Sequence, residues 1–196
     1  MSTDLLWALF LYAFVTSITP GPNNLMLMSS GATFGFRRTI PHMLGIGIGF
    51  TVMVFLVGLG LTGFFDVVPY SYDVLKVVSV VYLCWLAWKI ANSGESKSDG
   101  TSGRPLTFLQ AALFQWVNPK AWYMALMAIT LYAPDRSLFS VLVVSLAFGA
   151  VNLPCVSCWT VLGQQMRLLL TNPIRLRLFN YVMAALLIVS LFPVLT

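Results

Sequence analysis

Charge is what this sequence has least of. Charged residues make up 9% of it and residues of the AVILMFWYC set 59%, whereas a soluble domain carries about 25% charge. Together with a mean hydropathy of +0.87, this excludes a soluble globular domain and leaves an integral membrane protein. There is one histidine, His42, with no acidic cluster beside it, so no metal-ligand set exists. Eleven Lys and Arg outnumber six Asp and Glu, but the cations sit singly in short loops rather than on one face, which excludes nucleic acid as a partner. No Gly-Lys-Ser/Thr follows a strand, so a nucleotide site is absent and no cofactor is expected. No Ser-His pairing is placed to activate a nucleophile, which argues against a hydrolase and against enzymes generally. The N-terminus also lacks a basic region, Asp4 being its only charge, and its apolar run is too long for a signal peptide. It is read as a mature helix.

What is present is a series of membrane-length apolar runs, a span needing about 20 residues. Six are expected, at about 5–34, 41–65, 70–92, 106–132, 137–164 and 175–195, with the second opening at Pro41. The hydrophilic stretch at about 93–105, rich in Ser and Gly, reads as a flexible linker between two halves, 1–92 and 106–196, of a single transmembrane domain. Basic residues set the orientation. Arg37, Arg38, Lys89, Lys97, Arg104, Arg167, Arg175 and Arg177 fall in the odd loops, against Lys76 and Arg136 on the other side. The odd loops are therefore expected in the cytoplasm and both termini outside it. Three helices per half forces the second half to be inverted relative to the first.

Two of the runs are broken by proline. Thr19-Pro20-Gly21-Pro22-Asn23-Asn24 interrupts the first, and Asn118-Pro119-Lys120 the fourth. A proline in a helix interior costs about 3 kcal/mol or more, because it removes an N–H and clashes with the carbonyl four residues back. The carbonyls so freed belong to Thr16, Ile18 and Gln115. In lipid such a break is tolerable only if it is buried in protein or lines a polar cavity. Paired interruptions in the two halves of a chain point to a transporter's binding site. A shift of about 99 residues pairs Pro20 with Pro119 and puts both breaks near the bilayer midplane.

Gly21-Pro22 and Asn118-Pro119 both suit a helix start. Two half-helices would then begin inside the membrane and converge, each offering free N–H groups and a partial positive charge. Lys120 adds a full one. Donors for an anion beside freed carbonyls suit a group that is carboxylate at one end and ammonium at the other, which is an amino acid. No Asp or Glu lies inside a span, Asp73 standing only at the edge of its own, which favours neutral or small polar side chains. The candidate substrate-binding residues are Pro20, Gly21, Pro22, Asn23, Asn24, Gln115, Asn118, Pro119, Lys120 and Asn152. Each has an ordinary alternative. Lys120 could pair helices, Asn23 and Asn24 could satisfy the broken backbone, and Asn152 could bond across helices.

Other features read as packing. Gly45 and Gly49, four apart, allow close helix approach. Trp7, Trp85, Trp88 and Tyr70 suit the membrane interface, while Trp116 and Trp122 could line a cavity or pack. Cys155 and Cys158 form a CxxC, which supports a rival function as an intramembrane thiol–disulfide electron carrier. Against it, thiols in an apolar helix are usually inert.

Taken together, Thr19 to Asn23, Gly35-Phe36-Arg37, Tyr82-Leu83, Leu86-Ala87-Trp88-Lys89 and Asn118-Pro119-Lys120 resemble the motifs of the lysine-exporter family of amino-acid efflux proteins. Its homoserine/threonine-resistance branch also resembles this chain in length and in its six expected helices. Leu86 to Ala91 and Pro22-Asn23-Asn24 look most like the cysteine and O-acetylserine exporters. The resemblance implies export of a neutral amino acid or derivative across the bacterial inner membrane, driven by the proton gradient. A coupled proton would ride on Lys120, on an edge aspartate such as Asp73, or on the substrate. The expected partners are a small amino acid and the lipid bilayer, with a homodimer as a further candidate.

Overall fold

A residue that precedes proline is pushed out of the helical region by the proline ring, and this sequence has three of them at its two breaks. In a computed structural model of the chain all three are extended: Thr19 (φ −64°, ψ 145°), Gly21 (φ −175°, ψ 178°) and Asn118 (φ −94°, ψ 108°). The structure describes residues 2–61, 68–92, 104–170 and 172–191. Most of the expected linker, the ends of the second and sixth expected spans, and Gly63, Asp66 and Lys97 lie outside the described residues.

Helix α1 (Thr3–Ile18) starts on Ser2, whose hydroxyl accepts from the Leu5 N–H, and ends at the first break. Helix α2 (Pro22–Phe34) follows at an angle of 55°. Helix α3 (Phe36–Leu56) runs into a wider turn at Val57–Leu61, and α4 spans Ser71–Ala91. Helix α5 (Phe108–Phe114) opens with a reciprocal capping pair, Thr107 and Gln110, and tightens into a 3-10 turn at Gln115–Val117. Beyond Asn118 come α6 (Pro119–Tyr132), α7 (Leu138–Leu169) and α8 (Pro173–Val189). Among the described residues every regular element is helical.

Two boundaries differ from expectation. Pro41 does not open the second span; α3 begins at Phe36 and carries Pro41 inside. The bond it removes is to the carbonyl of Arg37, in the exposed first turn, so little is lost. Pro154 likewise lies inside α7, which continues to Leu169 rather than ending near 164. Pro22 is the first residue of its helix, as Pro119 is of its own, and Pro20 lies in the break before it.

Helix α7 is the centre of the packing, with α1, α2 and α3 against it, while α3 also meets α5 and α4 pairs with α8. The close approach of α3 to α5 uses Gly45 and Gly49. A Cβ on Gly49 would lie 2.6 Å from the Cα of Ala112, and one on Gly45 would meet the Phe108 carbonyl. Two buried apolar clusters result. One holds Leu9, Phe50, Met53 and Phe148; the other holds Leu27, Ile46, Phe114 and Leu187.

The outward faces are apolar as well, with Leu11, Val77, Val81, Leu146 and Leu178 all exposed. A helix that is hydrophobic all round, yet exposed on one side, belongs against lipid. Three described stretches, Phe36–Leu61, Asp73–Ala91 and Leu138–Leu168, are long and apolar enough to cross a membrane. The bent pair α1 and α2 makes a fourth if it counts as one span.

Candidate functional site

The two breaks, about a hundred residues apart in sequence, touch. Asn23 and Gln115 exchange hydrogen bonds, the Asn23 amide donating to Gln115 Oε1 (2.8 Å) and the Gln115 amide to Asn23 Oδ1 (3.1 Å). Lys120 Nζ crosses to the first break and donates to the Thr19 carbonyl (2.8 Å), the Thr19 hydroxyl (2.9 Å) and the Pro20 carbonyl (3.3 Å). It reaches them by lying over Gly21, where a Cβ would stand 2.6 Å from Lys120 Cδ. Glycine at 21 is therefore required by the lysine's path, not by its own extended backbone.

Beside this junction is a narrow pocket with about 310 Å³ of unfilled space, counting the part open to the surface. Gly21, Asn23, Asn24, Asn118, Lys120 and Asn152 line it, together with Thr16, Ser17, Phe50, Ala121 and Met124. Of the ten candidates, Pro20, Pro22, Pro119 and Gln115 do not line it. The prolines shape the backbone around it, and Gln115, fully buried, holds Asn23 while also donating to the Ala111 carbonyl (2.9 Å).

The expected acceptors are already used. The Thr16 carbonyl accepts from the Thr19 hydroxyl (3.0 Å), the Ile18 carbonyl from the Trp159 indole (3.0 Å) and the Gln115 carbonyl from the Asn118 N–H (3.3 Å). The two helix starts also differ, although both were expected to offer free donors. Asn118 caps α6, its Oδ1 accepting from the Lys120 N–H (3.2 Å) and its carbonyl from the Ala121 N–H (3.0 Å). Gly21 precedes α2 with no side chain to cap it, so the first N–H groups of α2 lack such a partner. Of the two helix starts, that of α2 is the one without a side-chain cap, with Lys120 Nζ bonded to the Thr19 and Pro20 carbonyls beside it. The physical reason is side-chain length: asparagine folds back on its own helix and glycine has nothing to fold.

Asn24 belongs to the backbone repair. Its amide donates to the carbonyls of Ser17 and Thr19, both at 2.8 Å. Asn152 is different. Its amide donates to Ser17 Oγ (3.2 Å), but its Oδ1 is buried with no partner, in a side chain 5% exposed on the pocket wall. A buried unsatisfied acceptor costs roughly 1–3 kcal/mol, so a donor entering the pocket would relieve it.

Ser17 and Thr19 hold candidate-site side chains, Asn152 and Lys120, and pattern reading did not single them out. Thr19 lay in the first motif, but nothing local signals that its carbonyl and hydroxyl hold a lysine on another helix. Ser17 and Trp159 carry no sequence signal at all, since their partners are distant in the chain. Trp116 and Trp122 pack edge-to-face on each other (centroids 6.1 Å) rather than lining the pocket. Cys155 is buried, Cys158 exposed, both are free thiols and neither lines the pocket. His42 is fully enclosed, with neither ring nitrogen hydrogen-bonded, and is not among the pocket residues.

Apolar helices surrounding a polar pocket at the junction of two helix breaks define a membrane transporter rather than an enzyme. A family model of the LysE type translocator matches residues 14–192. Cysteine/O-acetylserine efflux proteins of Escherichia coli (strain K12) and Shigella sonnei (strain Ss046) are each 31% identical over 166 residues, covering 83% of this chain and 84% of theirs. No solved structure matches the chain. The chain belongs to the LysE type translocator family.

Proposed function

We propose that this chain is a secondary transporter that exports a small neutral amino acid or derivative, of the cysteine/O-acetylserine or homoserine/threonine type, across the bacterial inner membrane. The observation that carries this is the meeting, in one pocket, of an uncapped helix start, a lysine and an unpaired amide oxygen. The substrate carboxylate takes the N–H groups at the start of α2 and draws Lys120 Nζ away from the Thr19 and Pro20 carbonyls. Its ammonium group donates to Asn152 Oδ1. Phe50, Ala121 and Met124 then face the side chain. Among the described residues no carboxylate lines the pocket, which supports a neutral side chain over a cationic one. The names of the efflux relatives support the cysteine/O-acetylserine type in particular.

In the same proposal the single domain, 1–196, crosses six times as two inverted three-helix repeats, about 1–92 and 106–196, joined by the linker at 93–105. The breaks at Pro20–Pro22 and Pro119 then sit mid-membrane, and both termini face away from the cytoplasm. The touching of the two breaks supports this arrangement, as does the bent α1–α2 pair.

The test is release of a panel of amino acids from cells producing the protein, with Lys120→Met and Asn152→Leu alongside. Selective release of one neutral class, lost in both variants at equal membrane levels, is expected. Absence of release of any amino acid at verified expression would refute export.

A further inference from the structure

At the other end of α2 lies a second cleft, and it is cationic. The first turn of α3 brings Arg37 and Arg38 against the last turns of α7, where Arg167 and Gln164 stand. The cleft encloses about 1360 Å³ of unfilled space, counting its open side. Gln164 fixes the corner, its Oε1 accepting the Phe36 N–H at 2.7 Å. Arg38 lies over the Phe34 ring, 5.9 Å from its centroid. Among the described residues no carboxylate lines the cleft.

This charge arrangement is unbalanced. Arg37 and Arg38 sit at the N-terminus of α3, where the helix dipole is itself positive and cations are disfavoured. Arg167 adds a third cation from another helix. A phosphate would answer all of them, since guanidinium forks match its oxygens bidentately. The remaining wall is apolar, with Leu168 at 72% exposure, which a soluble anion has no use for. The cleft also lies where two membrane-length stretches terminate, Phe36–Leu61 at its start and Leu138–Leu168 at its end. Headgroups are found at that level, and basic pockets between helices at that level hold anionic lipids.

We propose that this cleft is a binding site for an anionic phospholipid, its phosphate held by Arg37, Arg38 and Arg167 and an acyl chain lying along Leu168. The site is separate from the transport pocket and does not depend on the substrate assigned there.

The experiment is native mass spectrometry of the full chain, taken from vesicles of phosphatidylethanolamine containing cardiolipin and phosphatidylglycerol. The wild type is expected to retain the anionic lipids in preference to phosphatidylethanolamine. The triple variant Arg37→Gln, Arg38→Gln, Arg167→Gln is expected to retain at least about tenfold less. A Lys76→Gln, Arg136→Gln variant, with the same chemistry changed elsewhere, is expected to match the wild type. Unchanged retention in the triple variant overturns the proposal. So does displacement of the lipid by excess inorganic phosphate alone, which would make this a soluble-anion site. Should the triple variant fail to reach the membrane, the three single variants report the same quantity. Wild-type retention in all three would equally overturn it.

Discussion

Asn23 and Gln115 form a reciprocal amide pair, two hydrogen bonds of 2.8 and 3.1 Å between side chains from the two helix breaks. It is a clasp between the two halves of the chain. Gln115 is wholly buried, so removing Asn23 takes away the donor to its Oε1, while its amide keeps the Ala111 carbonyl. Asn23→Ala and Gln115→Leu are each expected to lower stability by about 1–3 kcal/mol. Combined, they should cost less than their sum, with a coupling of about 0.5–3 kcal/mol. Thermal unfolding of the two singles and the double in detergent measures this, and strict additivity would mean the clasp does not hold in solution.

Lys120 donates to two backbone carbonyls and one hydroxyl, and those bonds are exposed enough to be exchanged. Lys120→Met is expected to fold and insert normally while losing transport. Measured export at the wild-type rate, with normal membrane levels, would remove the lysine from the site.

Gly21 separates stability from function. Its backbone is extended, a conformation open to any residue, and the atom a new Cβ would meet is the flexible chain of Lys120. Gly21→Ala is therefore expected to change stability by less than about 1 kcal/mol. It should nevertheless abolish export by pushing Lys120 off its path. A Tm scan and a release assay on the same preparation decide the matter, and intact export would contradict it.

Gly45 behaves oppositely. A side chain there meets the backbone carbonyl of Phe108, which cannot step aside, so Gly45→Ala is expected to destabilise by about 1–3 kcal/mol. Substrate preference among the molecules still exported should not move. A changed preference in competition assays would show that this contact shapes the pocket after all.

The cysteines give the sharpest contrast with an electron-carrier function. Cys155 and Cys158 lie off the pocket and are unpaired. Exchange of both for serine is expected to leave export within about twofold, as for substitutions away from a site. Loss of function at normal expression would revive thiol chemistry.

How much of this was legible in advance depends on the range of the force concerned. The starts of α2 and α6 at Pro22 and Pro119 follow from ring sterics one residue away, and both were readable. Pro41 and Pro154 carry the same chemistry yet sit inside helices, each on an exposed face, and for Pro41 the bond lost is in the exposed first turn. The candidate site was readable as a neighbourhood and not as an assignment. Lys120, Asn23, Asn24 and Asn118 all stand on the pocket, but Asn118 Oδ1 also caps its own helix and the Asn24 amide also donates to the carbonyls of Ser17 and Thr19. Ser17, which orients Asn152 from 135 positions away, had no local signature.

The apolar, lipid-facing character of the helices and the two places where the backbone must leave the helix follow from the amino-acid order alone. Those consequences are local: side-chain transfer energies, and a proline's missing N–H with the clash it imposes on its predecessor. Which polar groups at the breaks cancel one another and which stay available depends on how the helices pack. A hydrogen bond is settled by distance in space, and the partners here come from α1, α2, α6 and α7. That is why the uncapped start of α2, the lysine laid across Gly21 and the unpaired oxygen of Asn152 emerge together only once the chain is folded.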